Sequence, residues 1–381
     1  MRVLHTSDWH IGRTFHGVDL LADQDAVLGA IAEIVAEEGV DVVLLAGDVY
    51  DRAVPSAEAV RVAGRAFRRI ADAGARIVVT PGNHDSAARL GVFGEFTSGD
   101  GLYLRTTIDG LAEPVLLDDD HGNVAFYGIP YLEPDPARHS LGIAERGHTG
   151  VLGEAMRRIN ADRASRDARS VVLAHAFVTG GAGSDSERPI GVGGVEQVGA
   201  SVFDGPDYVA LGHLHGPQTL SERLRYCGSP LAYSFSEASQ RKSVWLADLD
   251  AHGLAEVRRR ELPVPRPLAT VTGRLDDLLA DPAHEHLTDS YLSVTLTDPV
   301  RPIDGMRALR ERFPYAVHLE WVPPEADGDA LRYRDAVRGR SDAEITDSFF
   351  TTCRGSELSA SERGVVERAL AAAAREEATA E

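Results

Sequence analysis

The sequence predicts an α/β protein, with a smaller α+β module behind it and a helical segment at the C-terminal end. Three observations lead there. Over 1–250, short and wholly apolar runs alternate with stretches of helical spacing, the pattern of layered strands and helices. Pro263, Pro265 and Pro267 then fall at alternate positions, which no strand interior tolerates, and mark a linker. Beyond it, strand and helix patterns resume on a smaller scale and end at Pro323-Pro324.

Taken in order, a strand is expected at 3–6, followed by a helix over 20–38 whose Leu20, Leu21, Val27, Leu28, Ile31, Ile34 and Val35 share one face. The run Val-Val-Leu-Leu-Ala at 42–46 suits a strand buried on both faces. A helix over 56–73 leads to a strand at 76–80, stopped by Pro81-Gly82. Strands at 115–117 and 124–128, a helix near 152–166, and strands at 170–174 and 208–211 follow. A hairpin of 244–248 and 255–260 closes this half. The second module carries strands at 268–272, 292–297 and 317–321 and a helix over 305–313. Helices over 343–350 and 359–374 complete the chain, the second capped by Ser359 or Ser361. The expected division is 1–265, 266–335 and 336–381. Gly180 to Gly199 is rich in Gly and Ser and is expected to be a mobile loop.

Composition narrows the function. Of 381 residues, 39 are Lys or Arg and 59 are Asp or Glu, a formal net charge of −20. That balance excludes a free-standing duplex DNA binder, which needs a basic surface to displace counterions from phosphates. Lys242 is the only lysine, a bias toward Arg that suits phosphate contacts. Cys227 and Cys353 are too few for a disulfide scaffold and lack metal-ligand spacing. The N-terminus has no apolar signal core and no run approaches a membrane span, so a cytoplasmic location is expected.

The decisive pattern is positional. The strand at 3–6 runs into Asp8-Trp9-His10, and the strand at 42–46 into Gly47-Asp48. The strand at 76–80 runs into Pro81-Gly82-Asn83-His84-Asp85, that at 170–174 into His175, and that at 208–211 into Gly212-His213-Leu214-His215. Singly, each is ordinary turn chemistry or a satisfied histidine. Together, five buried strands deliver carboxylate, imidazole and amide groups to one rim, where ligands of parallel sheets bind. Mixed Asp, His and Asn donors suit Mn, Fe or Zn better than Mg or Ca. A pair of such ions needs a bridging ligand, and Asp48 is the expected bridge. His16, His121, His139, His148, His252 and His318, and the His284-Glu285-His286 run, lie outside this order and are expected to be structural or solvated.

This order of motifs resembles the calcineurin-like metallophosphoesterase superfamily. Further stretches resemble, within it, the nuclease subunits of bacterial SbcC–SbcD complexes. They are His5-Thr6-Ser7-Asp8-Trp9-His10-Ile11-Gly12 with Gln24 and Leu28, Gly47-Asp48-Val49-Tyr50-Asp51, and Gly128-Ile129-Pro130-Tyr131. Ser186-Glu187-Arg188, Tyr226-Cys227-Gly228-Ser229-Pro230 and Ser234-Phe235-Ser236-Glu237 complete the set. The resemblance implies a two-sheet β-sandwich flanked by helices, a small capping domain and C-terminal helices. It implies one metal on Asp8, His10, Asp48 and His215, a second on Asp48, Asn83, His175 and His213, and manganese at both. It makes His84 a catalytic histidine steadied by Asp85, which would accept from the second ring nitrogen. Asp51 departs from relatives with a histidine there, although bacterial members often carry aspartate. The implied activity is exonuclease and endonuclease cleavage of DNA together with the SbcC ATPase, as a homodimer within a heterotetramer. SbcC is expected to dock on the C-terminal helices, where Ile345, Phe349, Phe350 and Val365 are apolar on a polar background. Arg52, Arg89 and Arg188 are candidate phosphate contacts. The alternative is a small-molecule phosphodiesterase or protein phosphatase on the same scaffold, which needs neither the second module nor the tail.

Overall fold

A computed structural model describes residues 1–92, 94–188, 197–324 and 339–380. The chain divides into two compact units, Met1–Leu268 and Ala269–Glu381. The first holds two six-stranded sheets. One runs in the order Gly253–Glu261, Ser243–Asp250, Arg2–Thr6, Val42–Ala46, Arg76–Thr80, Leu102–Leu104. The other runs Gln218–Thr219, Leu224–Tyr226, Tyr208–Gly212, Arg169–His175, Gly122–Gly128, Val115–Asp119.

The sheets face each other across one apolar layer. Val3, Val42, Leu44, Ala46 and Val78 from the first meet Val124, Phe126, Val171, Leu173 and Ala210 from the second. Side chains alternate across a strand, so the neighbouring residues point outward, yet they are buried too. All five residues of Val42–Ala46 are inaccessible, which is why this strand shows no polar alternation. On the outer face of the second sheet, Tyr127, Val172, Ala174, Val209 and Leu211 pack with Val151, Leu152, Ala155, Met156 and Ile159 of the helix Gly147–Arg163. Helices Leu21–Glu38 and Ala57–Asp72 pack on each other. Ser56 caps the latter by accepting from the Ala59 amide, and its apolar stripe of Ala59, Val62, Ala63, Ala66 and Ile70 is buried.

The pairing explains the rim. Arg2–Thr6, Val42–Ala46 and Arg76–Thr80 are mutually parallel, as are Gly122–Gly128, Arg169–His175 and Tyr208–Gly212. Their carboxyl ends therefore lie at one edge of each sheet. Three ligand-bearing strands come from the first sheet and two from the second. The structure adds elements without a strong sequence pattern: a two-strand pair, Thr14–Phe15 with Val18–Asp19, the edge strand Leu102–Leu104, and the helix Pro134–Leu141.

The second unit holds a three-stranded sheet in the order Leu268–Gly273, Tyr291–Leu296, Ala316–Trp321. Leu278, Leu292, Val294, Leu296, Leu309 and Phe313 form its core. Helices Asp342–Arg354 and Ala360–Ala380 pack together. The first has a reciprocal cap between Ser341 and Glu344. At the second, Ser359 accepts from the Glu362 amide at 3.4 Å and its own amide donates to Glu362 at 2.9 Å, so Ser359 rather than Ser361 is the cap. Of the glycine-rich stretch, residues 189–196 lie outside the described residues, as do 325–338 between the second module and the tail. No described helix is long and apolar enough to cross a membrane.

Candidate metal centre

The residues at the rim are held by their own turns. Asp8 donates its amide to the Gly47 carbonyl at 3.1 Å, and His10 to the Asp48 carbonyl at 3.0 Å, so the first two motifs are laced together. Gln24, buried in the helix Leu21–Glu38, donates to the carbonyls of His10 at 2.8 Å and Trp9 at 3.3 Å and accepts the Gly12 amide at 2.9 Å. Asp8, His10, Asp48 and His213 all take positive φ, at 53°, 44°, 51° and 107°. Glycines give these turns their space. A Cβ on Gly82 would collide with the carboxylate and amide of Asp48, one on Gly47 with the His175 ring, and one on Gly212 with the Ala46 carbonyl.

Six of the seven expected ligands bring donor atoms into mutual reach. Asp8, His10 and His215 form one group, and Asp8, Asp48 and His175 another, each with one donor atom per residue within 4.8 Å of the others. Asn83 joins the second side, its Oδ1 2.9 Å from His175 Nε2. Asp48 Oδ2 lies 3.5 Å from His10 Nε2 and 3.4 Å from His175 Nε2, between the two sides. His213 is placed differently. Its amide donates to Asp8 at 3.0 and 3.2 Å and its ring centroid is 5.3 Å from that of His175, but it joins no group of three among the described residues. His84 does, with His10 and Asp48, so its ring reaches the same space as the expected ligands.

Several histidines are oriented by the nitrogen that faces away from the centre. His175 Nδ1 meets the Ala46 carbonyl at 3.0 Å, His84 Nδ1 the Asp51 carbonyl at 2.8 Å, and His215 Nδ1 the Ser186 hydroxyl at 2.5 Å. A ring whose outer nitrogen donates presents a lone pair on Nε2, the form a metal ligand needs. Here the Nε2 atoms of His10 and His215 stand 3.1 Å apart, both rings buried, and His10 Nδ1 has no hydrogen-bond partner among the described residues. Burial holds the His10 and His213 rings well below the ordinary imidazole pKa, so both are neutral. Burial also raises Asp8, with help from the charge of Asp48, to about 6. At Asp48 burial works the same way, but His175 and His10 outweigh it and keep the carboxyl well below its usual range. Burial opposes the charge on His175, yet Asp48 and Asp8 raise it to about 9. A neutral His10 ring beside the ionised Asp48 carboxylate, with His215 Nε2 3.1 Å away, forms a donor set that divalent cations satisfy and that protons satisfy only in part. The residues present therefore fit a pair of metal ions.

One expected role changes. Asp85 does not steady the His84 ring: its oxygens accept the amides of Val49 at 3.0 Å, Tyr50 at 3.0 Å and Gly82 at 2.9 Å. Three backbone donors saturate the carboxylate, and the turn directs it toward the main chain, leaving the Asp51 carbonyl to orient His84. Burial and the charge of Asp48 raise Asp85 to about 7 against those donors. The Asp51 carboxylate lies 3.7 Å from both His10 Nδ1 and Arg13 Nη1. Arg52 is 81% exposed, 3.8 Å from Asp51, and Arg89 donates to the Ala53 carbonyl at 3.1 Å. His286 bonds the Ala283 carbonyl in its own turn at 2.9 Å and joins no metal-capable group among the described residues. Ser186, Glu237 and Lys242, absent from the expected site residues, stand directly behind His215. The family-like stretches at 186–188 and 234–237 had carried the first two, whereas Lys242 stood out only as the single lysine.

Known proteins match in the same places. The family model for calcineurin-like phosphoesterases matches residues 1–217. A second, SbcD_C, described as the type 5 capsule protein repressor C-terminal domain, matches residues 264–353. Among solved structures, TT1561 of Thermus thermophilus is 17% identical, with 68% of this chain and 98% of that one covered and a TM-score of 0.39. The calcineurin-like phosphoesterase YfkN from Bacillus subtilis is 16% identical over 69% of this chain and 90% of that one, with a TM-score of 0.36. A dimetal phosphatase from Danio rerio is 12% identical over 69% and 96%, with a TM-score of 0.39.

Proposed function

Because the chain belongs to the calcineurin-like phosphoesterase family and pairs that domain with an SbcD-type C-terminal domain, we propose that it is the manganese-dependent DNA nuclease subunit of an SbcC–SbcD complex. The chain is a metal-dependent phosphoesterase by family, and the family works with a dinuclear metal centre. The observation that carries the narrower reading is the SbcD_C match, which follows in sequence a domain whose rim gathers metal-capable side chains. In this reading Asp8, His10, Asp48 and His215 hold one ion, and Asp48, Asn83, His175 and His213 the other, with Asp48 shared. His, Asp and Asn donors together support manganese over a purely oxygen-seeking cation.

When bound, such a pair of cations supplies charge stabilisation to the phosphate and activation of the attacking water. The rest falls to the chain. Asp48 is kept in place by the His84 amide, which donates to its Oδ1 at 2.9 Å. His84 is only partly buried and its Nδ1 is committed to the Asp51 carbonyl, so Nε2 is the atom free to meet substrate. In this reading His84 acts as the imidazolium, with Nδ1–H on the Asp51 carbonyl: its Nε2–H donates to the phosphoryl oxygens and passes to the sugar oxygen as that oxygen's bond to phosphorus breaks and the bond from the attacking water forms, which leaves His84 neutral. The acidic surface supports a partner as the main source of DNA contact, and SbcC, docking on the C-terminal helices, is that partner.

The test is co-expression with an SbcC ATPase, followed by Mn²⁺ and ATP with hairpin and blunt duplex DNA, bis-nitrophenyl phosphate and cyclic nucleotides. DNA cleavage by the co-purified complex is expected. Hydrolysis of the small molecules alone, with no SbcC bound, would leave a general phosphodiesterase in its place.

A further inference from the structure

Behind His215 runs a line of buried polar groups that the proposed reaction does not use. The His215 Nδ1 atom is 2.5 Å from Ser186 Oγ, which also bonds Glu237 Oε1, and Glu237 Oε2 accepts from Lys242 Nζ at 2.5 Å. Lys242, 3% exposed, also donates to the His215 carbonyl at 2.8 Å, to Ser229 Oγ at 3.1 Å and to Gln240 Oε1 at 2.9 Å. Glu237 is wholly buried. An ion pair this deep costs more desolvation than an apolar pair of the same size, so its value lies in what it orients.

The hydrogen bonds can run in one direction only. An ionised Glu237, already paired with Lys242, cannot donate, so the Ser186 hydroxyl gives its hydrogen to Glu237. Ser186 Oγ is then left as an acceptor toward His215, and Nδ1 must carry the imidazole proton. That leaves the lone pair on Nε2, facing His10 and Asp8. The same segment is tied to His215 twice more. Glu187 Oε1 accepts the His215 amide at 2.8 Å, and the Ser184 hydroxyl lies 2.7 Å from Glu187 Oε2 and 3.1 Å from Glu237 Oε1. Arg13, from the turn after the first motif, donates to the Ser186 carbonyl at 2.8 Å. By contrast, the outer nitrogens of His175 and His84 rest on main-chain carbonyls and need no side-chain relay.

We propose that Ser186, anchored by the buried Glu237–Lys242 pair, is a positioning residue for His215, so that docking of residues 184–187 sets cation affinity on the His10–His215 side of the centre. The inference rests on the reading of His215 as a metal ligand, and its test separates the two. Metal-free protein is titrated with Mn²⁺ by calorimetry, comparing wild type, Ser186→Thr, Ser186→Val and His215→Ala. Thr and Val differ there by the hydroxyl alone, so packing and folding effects cancel between them. Ser186→Val should weaken one of two metal equivalents by about 10–100-fold, the usual effect of losing a partner behind a histidine ligand. The other equivalent should be unchanged, and Ser186→Thr should bind both like wild type. His215→Ala should lose the same equivalent outright. If Ser186→Val and Ser186→Thr titrate alike while His215→Ala loses an equivalent, the positioning role is wrong and the metal reading stands. Equal weakening of both equivalents by Ser186→Val would also overturn it. If His215→Ala binds both equivalents normally, the metal reading itself fails.

Discussion

Four non-glycine residues of the candidate centre hold positive φ, a backbone state that costs roughly 1–3 kcal/mol each for side chains that do not favour it. Asp8, His10, Asp48 and His213 stay there because the turns are laced by hydrogen bonds and because Gly47, Gly82 and Gly212 leave no side chain in the way. Gly82→Ala should therefore cut manganese affinity at least about 10-fold, since a methyl group there meets the Asp48 carboxylate and its amide; metal content after dialysis measures it. His84→Ala should keep both metals while kcat for bis-nitrophenyl phosphate falls about 100–10,000-fold, the range of a lost general acid. Loss of metal in His84→Ala would instead make it a ligand, which its proximity to His10 and Asp48 permits.

Elements carry the centre through a few buried polar contacts. Gln24 links the helix Leu21–Glu38 to the turn bearing His10, and its amide also donates to the Tyr233 hydroxyl at 3.1 Å. Gln24→Leu should therefore destabilise the fold by about 2–3 kcal/mol through unsatisfied buried carbonyls, and lower metal affinity as well; urea unfolding with and without Mn²⁺ checks both. The far edge of the second sheet depends on a charged pair. Arg169, 7% exposed, lies 2.5 Å from Asp119. Its hydrogen bonds, opposed by partial burial, hold the Asp119 carboxyl well below the ordinary 3.8. A carboxylate with a depressed folded pKa adds stability above its unfolded value, and loses it as pH falls from about 4 toward the folded value. Asp119→Asn should cost about 3 kcal/mol at pH 7 and flatten the decline of stability below pH 4, read from urea midpoints across that range.

For the molecule as a whole, every residue of the candidate centre lies in Met1–Leu268, and the SbcD_C match falls almost wholly in Ala269–Glu381. Chemistry and partner recognition are thus expected to separate. A chain ended after Leu268 should hydrolyse bis-nitrophenyl phosphate at near wild-type kcat but fail to co-purify with SbcC. Exposed Phe349 and Val365 on the tail helices belong to the surface that the truncation removes. Metal removal acts on the whole fold too. Two cations bound only by the folded state stabilise it, so chelation should lower Tm by several degrees and Mn²⁺ should restore it. With a net charge of −20, the isolated chain should bind duplex DNA weakly and lose it steeply with salt, measurable by fluorescence anisotropy.

Strands and helices with a clean period were legible from residue order alone. Val42–Ala46 and Arg76–Thr80 have the expected bounds, because a strand buried on both faces leaves an unbroken apolar run between polar ends. Short edge pieces such as Leu102–Leu104 were not, since three half-buried residues carry no period. In the site, Asp8, His10, Asp48, Asn83, His175, His213 and His215 were visible as polar groups at strand ends. Asp85 shows the limit of that reading: its neighbour in sequence is His84, but its carboxylate turns to the amides of Val49, Tyr50 and Gly82. Lys242 shows the same limit from the other side, as a solitary lysine whose meaning lay in Glu237 and His215. By itself, then, the sequence determined which residues end the buried strands, because local periodicity and turn chemistry act over a few neighbours. Only the tertiary structure decided which nitrogen of each histidine faces the centre, because that depends on acceptors brought from other strands and loops once the two sheets have packed.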